Sequence, residues 1–220
     1  MLIRGINLQN SILKEQIEHR KVYEFIKRAV DIICSLIGLI VLMPLLVIVA
    51  ILIRIESEGS IIFSQDRVGK YGIVFKMYKF RSMVANAEEL KEKLTNENER
   101  TGPMFKIKND PRITKVGCFI RKTSIDELPQ LVNILKGDMS IVGPRPSLIN
   151  EVNEFEDWML KRLNVKPGLT CYWQVSGRDD IEFNQWMELD VKYVDERNIL
   201  IDIKLILKTF LVLFGDNHAS

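Results

Sequence analysis

At 220 residues and 25.5 kDa the chain can bury one sizeable core and is short for two independent domains. Its 31 basic residues against 29 acidic ones leave a formal charge of +2, which excludes the cationic excess of a nucleic-acid binder. Three widely spaced cysteines, Cys34, Cys118 and Cys171, show no metal-ligand spacing and read as reduced thiols.

After an N-terminal extension over residues 1–21, residues 32–53 carry no charged side chain. A helix of that length reaches roughly 33 Å, about the thickness of a bilayer core. The run starts late, is long and has no small-residue cleavage pattern, so it fits a cleaved signal peptide poorly. Basic residues flank both ends, with Arg20, Lys21, Lys27 and Arg28 before it and Arg54, Arg67, Lys70, Lys76 and Lys79 after it. The positive-inside rule therefore gives no orientation. Pro44 removes a backbone donor and its ring clashes with the Ile40 carbonyl, which predicts a kink near the bilayer centre. A re-entrant membrane hairpin over 22–55 accounts for the proline and for both basic flanks; a kinked single span and a buried core helix stay open.

Two short β-rich segments, 60–66 and 73–78, joined through Gly69-Lys70-Tyr71-Gly72, predict a β-hairpin with Gln65 and Arg67 on one face. Residues 85–100 are highly charged, with only Leu90 and Leu94 as apolar anchors, and read as an exposed helix or insert. Leu128, Leu131, Val132 and Leu135 have the spacing of an amphipathic helix that stops at Gly137. Pro129 belongs in its first turn, which puts Asp126 and Glu127 at or beside the N-terminus. Gly143-Pro144-Arg145-Pro146 is a stiff, extended segment presenting one arginine. Residues 150–164 and 182–197 look helical. In 199–214, Asp202, Lys204 and Lys208 forbid spanning while Ile199, Ile203, Ile206, Leu207, Phe210 and Phe214 share a face. That pattern suits an interfacial helix or an ordinary amphipathic helix packed on the core. The fold class expected is therefore α+β and membrane-associated: a re-entrant hairpin, a small β-hairpin and several amphipathic helices around a compact cytoplasmic catalytic unit, 56–220.

The acidic pair admits two readings. Asp126 can cap a helix, or Ser124 and Glu127 can form a capping box. Equally, a helix N-terminus beside Arg121 is a phosphate site, where one carboxylate attacks phosphorus and its neighbour holds Mg²⁺.

The order of segments resembles the monotopic phosphoglycosyl transferases, bacterial sugar transferases that begin lipid-linked glycan assembly. The resemblance covers residues 22 to 214. It runs from Lys27-Arg28 with Asp31 and the proline-broken apolar segment to Phe63-x-Gln65-x-Arg67-x-Gly69, Lys79-x-Arg81-Ser82-Met83 and Asn109-Asp110-Pro111-Arg112. Next come Arg121-Lys122-Thr123-Ser124-x-Asp126-Glu127-Leu128-Pro129-Gln130, Gly137-Asp138-Met139-Ser140 and Val142-Gly143-Pro144-Arg145-Pro146. Pro167-Gly168-Leu169-Thr170 and Trp173-Gln174-Val175-Ser176-Gly177-Arg178 complete it. Two positions depart from the family pattern: Met43 stands before the membrane proline where serine is frequent, and Cys171 stands where glycine is usual.

The resemblance implies that Asp126 attacks the β-phosphate of a UDP-sugar, releasing UMP and leaving a phosphosugar on the enzyme, which polyprenyl phosphate then accepts. Glu127, with Asp126, would coordinate Mg²⁺. Arg121 would hold phosphate oxygens, Pro144, Arg145 and Pro146 would meet the uridine end, and Lys79, Arg81 and Arg178 are further anion contacts or surface ion-pair partners. The resemblance also implies a re-entrant hairpin with both ends cytoplasmic, in the bacterial cytoplasmic (inner) membrane. Implied partners are a UDP-sugar, polyprenyl (undecaprenyl) phosphate and membrane lipid, with a homodimer allowed and nucleic acid excluded. Two rivals are a catalytically inactive membrane scaffold and a metal-dependent glycosyl transferase; for the second, no Asp-x-Asp motif is present.

Overall fold

The computed structural model describes residues 20–87, 89–90, 107, 110–177 and 181–215. Most of the expected N-terminal extension, most of the charged 85–100 segment and Arg178 lie outside the described residues.

The apolar run forms α1, Lys21–Glu56, the one helix among the described residues long and apolar enough to cross a membrane. Ile33, Ile37, Ile40, Val41, Ile48 and Ile51 are exposed along it, and only Asp31, Ser35, Val49 and Ile53 are buried. The segment expected to form the re-entrant hairpin is one continuous helix with Pro44 inside. Proline removes a single donor and displaces one carbonyl, and the hydrogen bonds of the neighbouring turns carry the helix past it.

One face of α1 lies along the rest of the molecule from end to end. Near its start Arg28 donates to the Ile134 and Leu135 carbonyls at 2.5 and 2.7 Å. One turn on, Asp31 accepts from Ser140 Oγ at 3.0 Å and the Ile141 amide at 2.9 Å. Beyond Pro44, Leu45, Leu46, Val49 and Ile53 pack with Phe80 and Ile120. At the far end the Glu56 carboxylate accepts from the Lys115 and Val116 amides at 2.7 and 3.0 Å. It thus supplies negative charge and acceptors to the N-terminus of α2, Lys115–Lys122.

The predicted hairpin is present, as β1 (Ile62–Val68) antiparallel to β2 (Val74–Phe80), with Val68 facing Val74 and Ile62 facing Phe80. Its turn places Tyr71 and Gly72 at positive φ, the conformation that Gly72 takes at no steric cost. Gln65 and Arg67 do share a face, and the guanidinium donates to Gln65 Oε1 at 2.7 Å. The next helix starts later than the periodicity predicts. Asp126 and Glu127 lie in a separate 3₁₀ turn, Ile125–Glu127, and α3, Gln130–Lys136, follows with Pro129 at its N-cap. Ser124 caps neither through its side chain, so the capping box is not formed. Gly137 ends α3 at φ 92°, as its position predicts.

A two-stranded parallel pair, β3 (Ser140–Val142) and β4 (Gly168–Thr170), brings two glycines together; a Cβ on Gly168 would lie 2.1 Å from the Gly143 amide nitrogen. Short α4, Ile149–Asn153, and a 3₁₀ stretch, Met159–Asn164, lead to α5, Phe183–Glu196, and α6, Ile199–Gly215. Asp202 on α6 is not a surface charge. It is buried, accepts from Tyr23 and Tyr193 at 2.9 and 2.8 Å and pairs with Lys27 at 2.8 Å. Leu205 is buried beside Tyr193 and Val142, whereas Leu200, Ile203, Leu207, Phe210 and Leu211 are exposed. The helix therefore packs on the core with one face and leaves an apolar stripe on the other.

Candidate active site

Three elements converge on the acidic pair. Thr123 ends α2, and Ser124, in the left-handed region at φ 57°, redirects the chain into the Ile125–Glu127 turn. From β2 comes Lys79, whose Nζ lies 2.7 Å from Glu127 Oε1 and 4.0 Å from Asp126 Oδ2. From the Pro144–Pro146 segment comes Arg145, whose Nη1 donates to the same Glu127 oxygen at 3.0 Å. Both carboxylate side chains are largely buried, at 11% and 15% exposure, while Arg145 keeps 28%.

The two acids are adjacent in sequence but differ in environment. Burial alone would push Glu127 up, and the charges of Lys79 and Arg145, with their hydrogen bonds, more than reverse this and hold it well below the usual carboxylate range. Asp126 is raised, chiefly by burial and also by the neighbouring Glu127 charge, against the opposing pull of Lys79, Arg121 and Arg145. Among the described residues no group donates a hydrogen bond to the Asp126 carboxylate. One acid is thus clamped between cations, and the other is a desolvated, uncommitted carboxylate beside them. That is the arrangement expected of a nucleophile next to a charge-holding partner.

Arg145 is itself held by its backbone. The Pro144 carbonyl accepts from the Gly168 amide at 2.9 Å, the Arg145 carbonyl from Arg162 Nη2 at 2.6 Å, and the Pro146 carbonyl from Arg67 Nη1 at 3.0 Å. Burial above all, and then the facing Arg145 charge, lower the Arg67 guanidinium to about 10, against the opposing pull of Glu151 and Glu127.

The model of the bacterial sugar transferase family matches residues 22–216. The chain belongs to that family. This sugar transferase-family chain is 49% identical over 86% of its length to the galactosyl transferase CpsE of Streptococcus agalactiae, and 44% identical over its full length to the undecaprenyl-phosphate galactose phosphotransferase of Salmonella typhimurium. It spans 42% and 45% of those two relatives. With the exopolysaccharide production protein ExoY of Sinorhizobium fredii it shares 38% identity over 83% of both chains.

Of the residues that the sequence of this sugar transferase-family chain singles out, the structure gathers Asp126, Glu127, Lys79, Pro144, Arg145 and Pro146 into one site. Arg121 sits exposed at the end of α2, close enough for its charge to oppose the rise of Asp126. Arg81 is elsewhere. Its guanidinium donates to the Ser57 and Glu58 carbonyls at 2.7 Å each and to Ser57 Oγ at 2.9 Å, tying down the chain that leaves α1. Sequence reasoning missed Arg162, Asp190 and Ser147 as supports of the Arg145 segment. For Arg67 the signal was available in its alternation with Gln65.

Proposed function

We propose that this chain transfers a sugar-1-phosphate from a UDP-sugar to undecaprenyl phosphate, the initiating step of lipid-linked exopolysaccharide, capsule or O-antigen assembly. The observation that carries the reading is the uncommitted, desolvated Asp126 beside Glu127 under Lys79 and Arg145. Relatives named for phosphotransfer to undecaprenyl phosphate support it.

In the first step an Asp126 carboxylate oxygen attacks the β-phosphorus; the bond to the bridging oxygen of UMP breaks, UMP leaves with the electron pair, and an aspartyl phosphosugar remains. In the second step the phosphate oxygen of the carrier attacks the same phosphorus, and the Asp126 carboxylate departs unchanged. Desolvation favours the attack, because a buried carboxylate has lost the water that would blunt it. Lys79 and Arg145 supply positive charge where the diphosphate oxygens gather charge, and Arg121 extends that field. Mg²⁺ is commonly held by one or two carboxylates plus substrate phosphates, so an acidic pair joined by no third ligating side chain among the described residues fits it. Glu127, with Asp126, would hold it, and the ion when bound would offset charge on the phosphoryl oxygens.

The exposed apolar surface of α1 and the stripe on α6 support membrane association, and the reading we adopt sets the chain at the bacterial cytoplasmic membrane with the catalytic unit on the cytoplasmic face. Arg28 and Glu56, at opposite ends of α1, bind the same catalytic unit, which favours a re-entrant path over a span that parts its ends.

The test is UMP release by detergent-solubilised protein from a panel of UDP-sugars with Mg²⁺ and undecaprenyl phosphate, comparing wild type with Asp126→Ala. Carrier-dependent release that vanishes in the variant is the expected result. No UMP from any donor, or undiminished release by Asp126→Ala, overturns the reading and favours a membrane scaffold.

A further inference from the structure

Behind the Pro144–Ser147 segment, away from the acidic pair, lies a buried ion pair that the proposed chemistry does not use. Arg162, on the Met159–Asn164 stretch, meets Asp190 of α5 with Nη2 2.7 Å from Oδ2, the two side chains being 1% and 0% exposed. Two charges so fully removed from water cost more than an apolar pair of the same volume would, so stability alone gives no reason for them. The same guanidinium has further partners. Its Nη2 donates to the Arg145 carbonyl at 2.6 Å and its Nη1 to the Ser147 hydroxyl. The plane is braced by the rings of Phe155 and Trp186, 5.5 and 5.6 Å away.

The arrangement is directional. Asp190 opposes the charge of Arg162, the two rings flank its plane, and the fork grips the chain on both sides of Pro146, at residues 145 and 147. Arg67 grips the Pro146 carbonyl between them at 3.0 Å. Among the described residues neither Arg162 nor Asp190 forms a hydrogen bond or ion pair with Asp126 or Glu127, so any influence on the reaction passes through the backbone that carries Arg145. Lysine in place of Arg162 could keep the charge opposite Asp190, but a single ammonium has no planar fork with which to reproduce the grip.

We infer that Arg162 and Asp190 are positioning residues that fix the Pro144–Ser147 backbone, so that the Arg145 side chain is presented to Glu127 and to the donor nucleotide. This rests on the reading that Arg145 meets the UDP-sugar. If the segment slackens, the donor loses a preset contact while the carrier does not, so the effect is confined to one of two substrates.

Two variants separate positioning from folding. Arg162→Lys keeps the opposed charges, and Arg162→Met combined with Asp190→Leu removes both charges together, leaving no buried ion unpaired. Each is assayed by UMP release for KM and kcat against the UDP-sugar and against undecaprenyl phosphate, with hydrogen–deuterium exchange followed at residues 143–148 and, as a control, over α2, Lys115–Lys122. We expect faster exchange at 143–148 alone and a KM for the UDP-sugar raised roughly tenfold, with the carrier KM within about twofold of wild type. Variants whose α2 exchange is unchanged and whose donor KM matches wild type overturn the inference, as does a KM that rises equally for both substrates. A wild type that releases no UMP sinks the reaction reading instead, and unchanged exchange at 143–148 in the variants then removes the positioning role as well.

Discussion

Asp126 and Glu127 are neighbours with opposite electrostatic histories, and this sets opposite expectations for their removal. The folded state raises Asp126, so its ionisation opposes folding; the cost is absent in acid, grows as pH rises from the ordinary carboxylate value of about 4 and persists above the raised one. Asp126→Asn should therefore melt no lower than wild type near neutral pH, and higher if the burial cost dominates, with the difference vanishing in acid. UMP release should fall at least about a thousandfold, as for loss of other covalent nucleophiles. Glu127 is held low by Lys79 and Arg145, so its contribution is present above the ordinary carboxylate range and lost as pH falls through that range toward its folded value. Glu127→Gln leaves two largely buried cations without their anion and should cost on the order of 3 kcal/mol near neutral pH, the loss shrinking in acid. Parallel thermal melts across pH check both; a destabilised Asp126→Asn at neutral pH would contradict the assigned environment. Activity should also be lost in acid at a pH above the usual carboxylate range, because the attacking oxygen must be unprotonated.

At this scale the sequence is readable where chemistry dictates residue type and misleading where geometry decides. Lys79 and Arg81 are both basic, two apart, and nothing in their spacing separates them. β2 ends at Phe80, so Lys79 stays on the strand face toward Glu127 while Arg81 turns to the carbonyls after α1. Arg162 and Asp190 lie 28 positions apart among ordinary charged residues, and no local pattern marks them as a buried pair.

Elements fix the site by close approach. Gly143 and Gly168 let β3 and β4 meet so tightly that a Cβ on Gly143 would lie 2.3 Å from the Lys166 carbonyl oxygen, and one on Gly168 2.6 Å from the Gly143 carbonyl oxygen. All of these obstacles are backbone atoms, which cannot rotate away. Gly168→Ala must therefore separate the strands and move the Pro144 carbonyl that its amide holds, at about 1–3 kcal/mol of stability. UMP release should fall more steeply than the melting temperature predicts, since Arg145 moves with the strand. Equal activity per folded molecule would show that strand separation does not reach Arg145. The hairpin was legible because glycines bound its turn and β-rich runs flank it. The end of α3 was legible because Gly137 takes a positive φ. Its start was not, because Pro129 sets one residue's φ and says nothing about whether the preceding turn is α or 3₁₀. The continuity of α1 through Pro44 was illegible for a related reason: proline specifies a lost donor, while packing on both sides of it decides whether the helix continues.

For the whole molecule the question is how α1 and α6 meet lipid. The exposed face of α6, Leu200, Ile203, Leu207, Phe210 and Leu211, lies opposite buried Leu205 and Asp202, and Asp202 ties it to Lys27 and Tyr23 at the start of α1. The start of α1 and the inner face of α6 are thus one rigid corner. At the other end Glu56 caps α2, whose last turn leads into the acidic pair. A straight helix of 36 residues would separate its ends by roughly 54 Å, and a span would leave those ends on opposite sides of the bilayer. Both ends are bound to the rest of the same chain, so a re-entrant path requires both to lie on one side of the bilayer, the cytoplasmic side in the function proposed above. In a chain with Cys34, Cys118 and Cys171 replaced by serine, single cysteines at Lys21 and Glu58 should both resist a membrane-impermeant maleimide in intact cells and both react once the inner membrane is opened. Labelling of one alone in intact cells would establish a span and require the contacts of Arg28 or Glu56 to be broken in the membrane. Protection of both would place the acidic pair where a cytoplasmic nucleotide and a lipid-borne phosphate can reach it from the same side.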